Sequence, residues 1–230
     1  MTSDRHLDWD GCRNARDLGG LPTRDGRVTR RGAVVRADAV DRLSAAGWAS
    51  LEEHGVRTVI DLRNEDERGP DVAARPACVT TLVVPLDGTA DAGFWAEWGS
   101  GPQIGTPLYY RPFLECFPGR VAEVVGAVAR AEPGGVVVHC RVGRDRAGLV
   151  SALLLALAGV GHGAIAEDYA LSSGRVPDDE NGIIQELARR GTTARGAILE
   201  LLATLDPEGY LRAAGLSDTD LTALVARLVT

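Results

Sequence analysis

Apolar residues along the chain fall into two rhythms. Short unbroken runs, closed off by glycine, proline or charge, predict strands buried on both faces: VRTVIDLR (56–63), CVTTLVVPL (78–86) and GGVVVHC (134–140). Residues 27–37 read as a short hairpin or paired strands. Spaced apolar positions predict helices over 44–54, with Ser44 as cap and Gly55 as stop, and over 144–159. Residues 107–131 read as two helices broken at Pro118-Gly119, and the pattern is helical from about 161 to the end. The last helix starts at Ser217, with Asp220 three on and Leu221, Leu224, Val225 and Leu228 along one face. Strands alternating with helices predict an α/β fold, a mostly parallel central sheet flanked by helices. No repeat or linker divides it. The expectation is one domain over 1–230, with a lid or helical insertion at about 88–131 and a helical C-terminal extension at about 161–230.

Composition narrows the function classes. A net charge of −7 excludes a broad basic face, so no nucleic-acid partner is expected. The first residues hold no apolar leader. The longest apolar run, 148–161, is too short for a bilayer, which predicts no stable membrane insertion and a cytoplasmic location. Four cysteines without framework spacing fit a reducing compartment. All 25 basic residues counted as Lys+Arg are arginine, so an arginine carries less meaning here than in most chains.

One segment carries chemistry. A valine strand ends in His139-Cys140, and Arg146 follows just before an apolar helix. A loop between a strand and a helix N-terminus turns backbone N–H groups toward one point, which favours an oxyanion and stabilises a thiolate. Arg146 can return across that loop and hold two phosphate oxygens with its planar fork. Gly143 permits the tight backbone such a cradle needs. Nucleophile, nest and clamp together suit thiolate attack on a phosphate ester through a cysteinyl-phosphate, without metal or cofactor.

HCRVGRDRAG (139–148) resembles the phosphate loop of the cysteine-dependent protein phosphatases. It is most similar to the bacterial atypical tyrosine/dual-specificity phosphatases that also act on phosphoinositides. NARDLGG (14–20), VRTVIDLRNEDE (56–67), EDYALSS (167–173) and GYLRAAGLSDTDLTALVARL (209–228) resemble further segments of that family. The resemblance implies a cysteine-phosphatase-like fold with Cys140 as nucleophile and Arg146 on phosphate. It implies a phosphate-binding loop of His139, Arg141, Val142, Gly143, Arg144, Asp145 and Arg146, in which His139 orders the loop. The implied partners are a phosphorylated protein, phosphotyrosine first, or a phosphoinositide, with phosphate or another oxyanion in the loop. Where the family usually has Ser or Thr after the arginine, this chain has Ala147, which affects the second chemical step.

Two acids compete to protonate the leaving group. Asp145, inside the loop as in this family branch, is preferred. Asp87, after TLVVPL, sits where related phosphatases hold a loop acid. Phe94, Trp95, Trp98, Tyr109 and Tyr110 read either as a lid over an aryl or lipid-bearing substrate or as helix packing. Asn14, Arg16 and Asp17 are expected to form a turn bracing the site edge, and Asp61 and Arg63 are assigned a structural role. His54 and His162 are read as ordinary residues near helix ends, and Cys12, Cys78 and Cys116 as packing residues. Two other classes compete: a rhodanese-like sulfurtransferase, whose loop usually lacks this Cys-to-Arg spacing, and a phosphate-binding pseudophosphatase, suggested by Ala147.

Overall fold

The structure, a computed structural model, describes residues 5–88, 91–175 and 180–230. Its centre is a five-stranded sheet in the order β1-β2-β5-β3-β4. The strands are β1 (Arg16–Asp17), β2 (Val34–Ala37), β3 (Val56–Asp61), β4 (Thr80–Val83) and β5 (Gly135–His139). Only β1 runs antiparallel to its neighbour; β2, β5, β3 and β4 are parallel. β5 lies in the middle because Val136, Val137 and Val138 need cover on both sides.

Alternation along the strands sorts side chains into two cores. Val34, Ile60, Val136 and Val138 face the thicker one, beneath α4 (Pro118–Arg130) and α5 (Arg146–Leu157). Val35, Val59 and Val137 face Trp9, Trp48 and Leu51, the last two on α1 (Ala45–Glu53). Ser44 caps α1 through Gly47 N–H, and Gly55 follows it with φ +87°. Between β4 and α4 lie α2 (Ala92–Trp98) and α3 (Tyr110–Cys116). The predicted break falls at Phe117, with Pro118 in the first turn of α4. The chain continues through α6 (His162–Ala170), α7 (Glu180–Arg189), α8 (Ala194–Ala203), α9 (Pro207–Ala213) and α10 (Asp218–Leu228).

Several expectations need correction. Of the two readings of residues 27–37, paired strands hold and the hairpin does not: Val34–Ala37 pairs with Arg16–Asp17 on one side and with β5 on the other. The run 78–86 is not a buried strand. β4 is the sheet edge, and Leu82 and Val83 are exposed at 36% and 43% because no further strand covers them. The C-terminal helices do not stand apart, since Leu211, Leu221, Leu224 and Leu228 complete the core under α4 and α5. Of the alternatives for about 88–131, the helical one holds at α2, and Phe94 and Tyr110 pack in the core. Cys78 and Cys116 are exposed rather than packed. Positions 89–90 of the expected lid and 176–179 of the C-terminal region lie outside the described residues. Among the described residues no helix is long and apolar enough to cross a membrane.

Candidate active site

The loop of residues 140–145 joins the C-terminal end of β5 to the start of α5. Cys140 sits at its base, 1% exposed. Gly143 takes φ +71°, and a Cβ there would lie 2.7 Å from the carbonyl of Ala37 and the nitrogen of Asp38. Both backbone and space therefore demand glycine.

Every carbonyl from Cys140 to Asp145 accepts a bond from outside the cleft. His139 Nδ1 donates to Cys140 O (3.3 Å), and Ala39 N–H to Arg141 O (3.3 Å). Asn14 Nδ2 donates to Val142 O (2.9 Å). Arg36 donates through Nε to Gly143 O (2.7 Å) and through Nη2 to Arg144 O (2.9 Å). Tyr110 Oη donates to Asp145 O (2.6 Å). In a trans peptide the following N–H points opposite to the C=O, and no described peptide is cis. The N–H groups of residues 141–146 are thus turned the other way, toward the cleft, forming an anion nest at a helix N-terminus.

Arg146, the first residue of α5, stands on the wall of the cleft. Its Nη1 and Nη2 meet Glu67 Oε2 and Oε1, each at 2.5 Å, and Nη1 lies 3.3 Å from Asp87 Oδ2. Burial works against its charge, but Glu67, Cys140 and Asp87 outweigh it and hold its pKa above the usual arginine value. Glu67 closes a capping box after β3, taking a hydrogen bond from Asn64 N–H at 3.0 Å. Burial raises the pKa of Glu67, yet the bonds from Arg146 prevail and keep it below normal. Asp87 is pushed up to about 6 by burial, against the pull of Arg146. Burial also raises Asp145, against Arg144 and Arg146; Arg144 Nε is 3.5 Å from its Oδ1.

His139 is fully buried, and that burial lowers its pKa to about 4, against the pull of Asp61. Its Nε2 lies 3.6 Å from Asp61 Oδ2. Asp61 is fixed by Arg63, which also bonds Asp41, so these two residues hold the wall behind His139. Asp17 spends its carboxylate on Gly19 and Gly32 N–H, 2.8 Å each, whereas Asn14 touches the loop directly. His54 Nε2 stands 3.4 Å from Asp17.

The cleft above the loop has a volume of about 920 Å³, with Trp95, Ile104, Tyr109 and Ile183 on its walls. Of the five clustered aromatics, Trp95 and Tyr109 face the cleft, and Trp95 Nε1 ties α2 to Gly88 O at 2.7 Å. Asp87, Arg141, Val142, Arg144, Asp145 and Arg146 line it, whereas His139, Cys140 and Gly143 are buried and are not on its wall. Reasoning from sequence gave no site role to Glu67, Arg36, Asp168 or Ser172, and read Tyr110 as lid or packing where it in fact holds the loop at Asp145 O. The available signal was a charge where burial is expected: Arg36 inside the strand VVRA, and Asp168 inside an apolar helix.

A thiol at the base of an anion nest, with an arginine fork and half-buried carboxyls beside it, is what phosphate-ester cleavage by a thiolate calls for. Residues 7–230 match the tyrosine phosphatase family, and the chain belongs to that family and is a phosphatase of the protein-tyrosine type. It is 30% identical over 209 residues to a tyrosine-protein phosphatase of Nostoc commune, covering 81% of this chain and 71% of the relative. It is 29% identical over 214 residues to the triple specificity protein phosphatase PtpB of Mycobacterium tuberculosis, covering 80% and 75%. The family match sets the sulfurtransferase reading aside.

Proposed function

We propose that the chain hydrolyses phosphotyrosine in proteins through a cysteinyl-phosphate on Cys140. The thiolate attacks phosphorus while the equatorial oxygens take the loop N–H groups and Arg146. The S–P bond forms, the P–O bond to the substrate breaks, and the departing oxygen takes a proton from Asp87. Water then attacks phosphorus and gives a proton back to Asp87, and the sulfur leaves as thiolate with release of inorganic phosphate. Asp87 is chosen because burial pushes its pKa to about 6, so it holds a proton on the acid side of neutrality. Asp145, preferred on loop position alone, shares the cleft and keeps its bond to Arg144.

The observation that carries the reading is the pinning of every loop carbonyl away from the cleft, with Cys140 at the base. Breadth toward phosphoserine, phosphothreonine and phosphoinositides is supported by the wide cleft, by Arg141 and Arg144 on its wall, and by the name of the M. tuberculosis relative. Phosphate release from a panel of phosphopeptides and phosphoinositides, with EDTA present and Cys140→Ser as control, tests both levels. Release that survives Cys140→Ser would overturn the mechanism. Release from phosphoinositides alone would overturn the substrate class.

A further inference from the structure

Asp87 is held on one side by the core. Leu86 is 1% exposed, and its N–H donates to Leu62 O at 3.1 Å. On the other side stands Gly88, with φ +57° and the wide backbone freedom of a glycine, so this side needs attachments of its own. Two side chains supply them. Trp95 of α2 donates from Nε1 to Gly88 O at 2.7 Å. Arg120, the third residue of α4, lays the flat face of its guanidinium on Gly88: a Cβ there would fall on that group, almost equally close to Cζ, Nη1 and Nη2. Backbone and space both require glycine at 88. The two jaws share one footing, because the Trp95 ring lies nearly parallel to that of Phe117 (12°, centroids 6.5 Å apart), the residue just before α4. Arg120 is half-buried and makes no hydrogen bond or ion pair among the described residues, so a polar partner does not explain where it lies.

Arg120 also brings a cation to the acid. The groups that face Asp87 are Arg146 of α5 at 3.3 Å, Glu67 after β3, Asp145 of the loop, Tyr109 before α3 and Arg120 of α4. Burial raises the pKa of Asp87 most. Arg146 and, more weakly, Arg120 pull it down, while Glu67 and Asp145 push it up. Asp87, Gly88 and Trp95 line the cleft and Arg120 does not, so any effect of Arg120 on the reaction passes through Asp87 and Gly88.

Resting on the assignment of Asp87 as the acid made above, we infer that Arg120 is a positioning residue for the proton transfer: with Trp95 it clamps Gly88, and through Gly88 it holds the Asp87 carboxyl in its place beside Arg146. The acid must stand within hydrogen-bond reach of the departing oxygen, and a misplacement of about 1 Å can cost on the order of 10²-fold in rate. Core packing at Leu86 and the clamp at Gly88 fix the aspartate from both ends of its own backbone.

The test follows kcat on an alkyl and on an aryl phosphate across pH, in the 230-residue chain, with folding checked by thermal unfolding. Arg120→Met removes both face and charge. Alkyl kcat should fall about 10–100-fold, with far less loss on the aryl ester and little change in KM. The pH limb on which alkyl kcat falls should move upward from about 6, by about 0.5–1 unit, because a cation that favours ionised Asp87 is gone. Arg120→Lys keeps the charge and loses the flat face, so alkyl kcat should fall with the limb held near 6. In an Asp87→Asn background, Arg120→Met should cost nothing further on the alkyl ester. Equal losses on both esters, no loss, or an unmoved limb in Arg120→Met would overturn the inference. Should Arg120→Met fail to fold, Trp95→Phe decides. It drops the Nε1 donor and keeps a ring against Phe117, and alkyl kcat must fall selectively or the clamp is wrong. If Asp87→Asn spares the alkyl ester, the acid assignment falls and takes this inference with it. That result is distinct from failure of the clamp alone, in which Asp87→Asn loses the alkyl ester and Arg120→Met does not.

Discussion

Arg146 and Glu67, separated by 79 positions in the chain, meet fork to fork, and both nitrogen–oxygen contacts are 2.5 Å. The pair fixes the direction of the guanidinium before any phosphate arrives. Glu67→Gln preserves shape and removes the charge that aligns Arg146. Loss of a charge-assisted bidentate pair costs about 1.5–3 kcal/mol, so kcat/KM should fall about 10–100-fold with the fold intact. Unchanged kcat/KM on an aryl phosphate would show that Arg146 orients itself.

Cys140→Ser and Arg146→Ala should both abolish turnover, for different reasons. The first removes the nucleophile and leaves the nest, so phosphate still binds, as calorimetry would show. The second removes the clamp and should weaken phosphate or tungstate as well. Full activity in either variant would defeat the mechanism.

Asp87→Asn and Asp145→Asn separate the two acids. With Asp87 as donor, Asp87→Asn should lose about 10²–10⁴-fold on alkyl phosphates and far less on aryl esters with good leaving groups. Wild-type kcat on alkyl phosphates should fall as pH rises through about 6, where Asp87 gives up its proton. His139 does not compete for that inflection, because burial places it at about 4. The leaving-group pattern in Asp145→Asn instead would transfer the role to the loop.

The same carboxyl weakens the fold at neutral pH. Its pKa rises from 3.8 in the free state to about 6 here, chiefly through burial. Below about pH 4 both states carry the proton and nothing is lost. Between about pH 4 and 6 the unfolded chain has ionised while the folded one still holds its proton, so stability drops across that window and levels off above it. Asp87→Asn should therefore be more stable than wild type at pH 7, by about 1–3 kcal/mol, and show no gain at pH 4. Denaturant unfolding at the two pH values measures it.

Ala147, fully buried in the first turn of α5, offers no hydroxyl to the departing sulfur. A missing preorganised donor costs about 2.7–4 kcal/mol in comparable oxyanion sites, which the helix N-terminus partly offsets. The second step should limit turnover, giving a burst of leaving group and a phosphoenzyme trapped by acid quench. Ala147→Ser should raise kcat and leave the burst rate nearly unchanged. Absence of both effects in rapid-quench kinetics would place the slow step first.

The central strands and α5 were legible because each is a local pattern: valines closed by Gly134-Gly135, then an apolar helix. β2 was harder, since its antiparallel partner, Arg16–Asp17, is only two residues long and precedes it by a stretch with no strand rhythm. β4 is apolar enough to read as buried, but edge position is a property of the sheet and not of the segment. The same division holds at the site. Cys140, Gly143 and Arg146 lie within one short stretch whose spacing carries the chemistry. Glu67, Arg36 and Asp168 come from separate elements; a charge inside a strand or helix core marks Arg36 and Asp168 as unusual, but nothing in either segment names the partner it meets. In a chain whose cations are all arginine, Arg36 gave no compositional signal either.

The pinned loop carbonyls have a consequence for folding. Their donors come from Asn14, Arg36 and Tyr110, up to 128 positions from the loop residue they bond. Contacts of such high sequence separation close late and mark a slow-folding topology. The nest is therefore not a local foldon that can form ahead of the sheet; it exists only when the two ends of the chain's first two-thirds have met. Oxyanion binding then draws on the global folding equilibrium, and phosphate should raise the unfolding midpoint of the whole chain as one cooperative unit, rather than protect the loop alone.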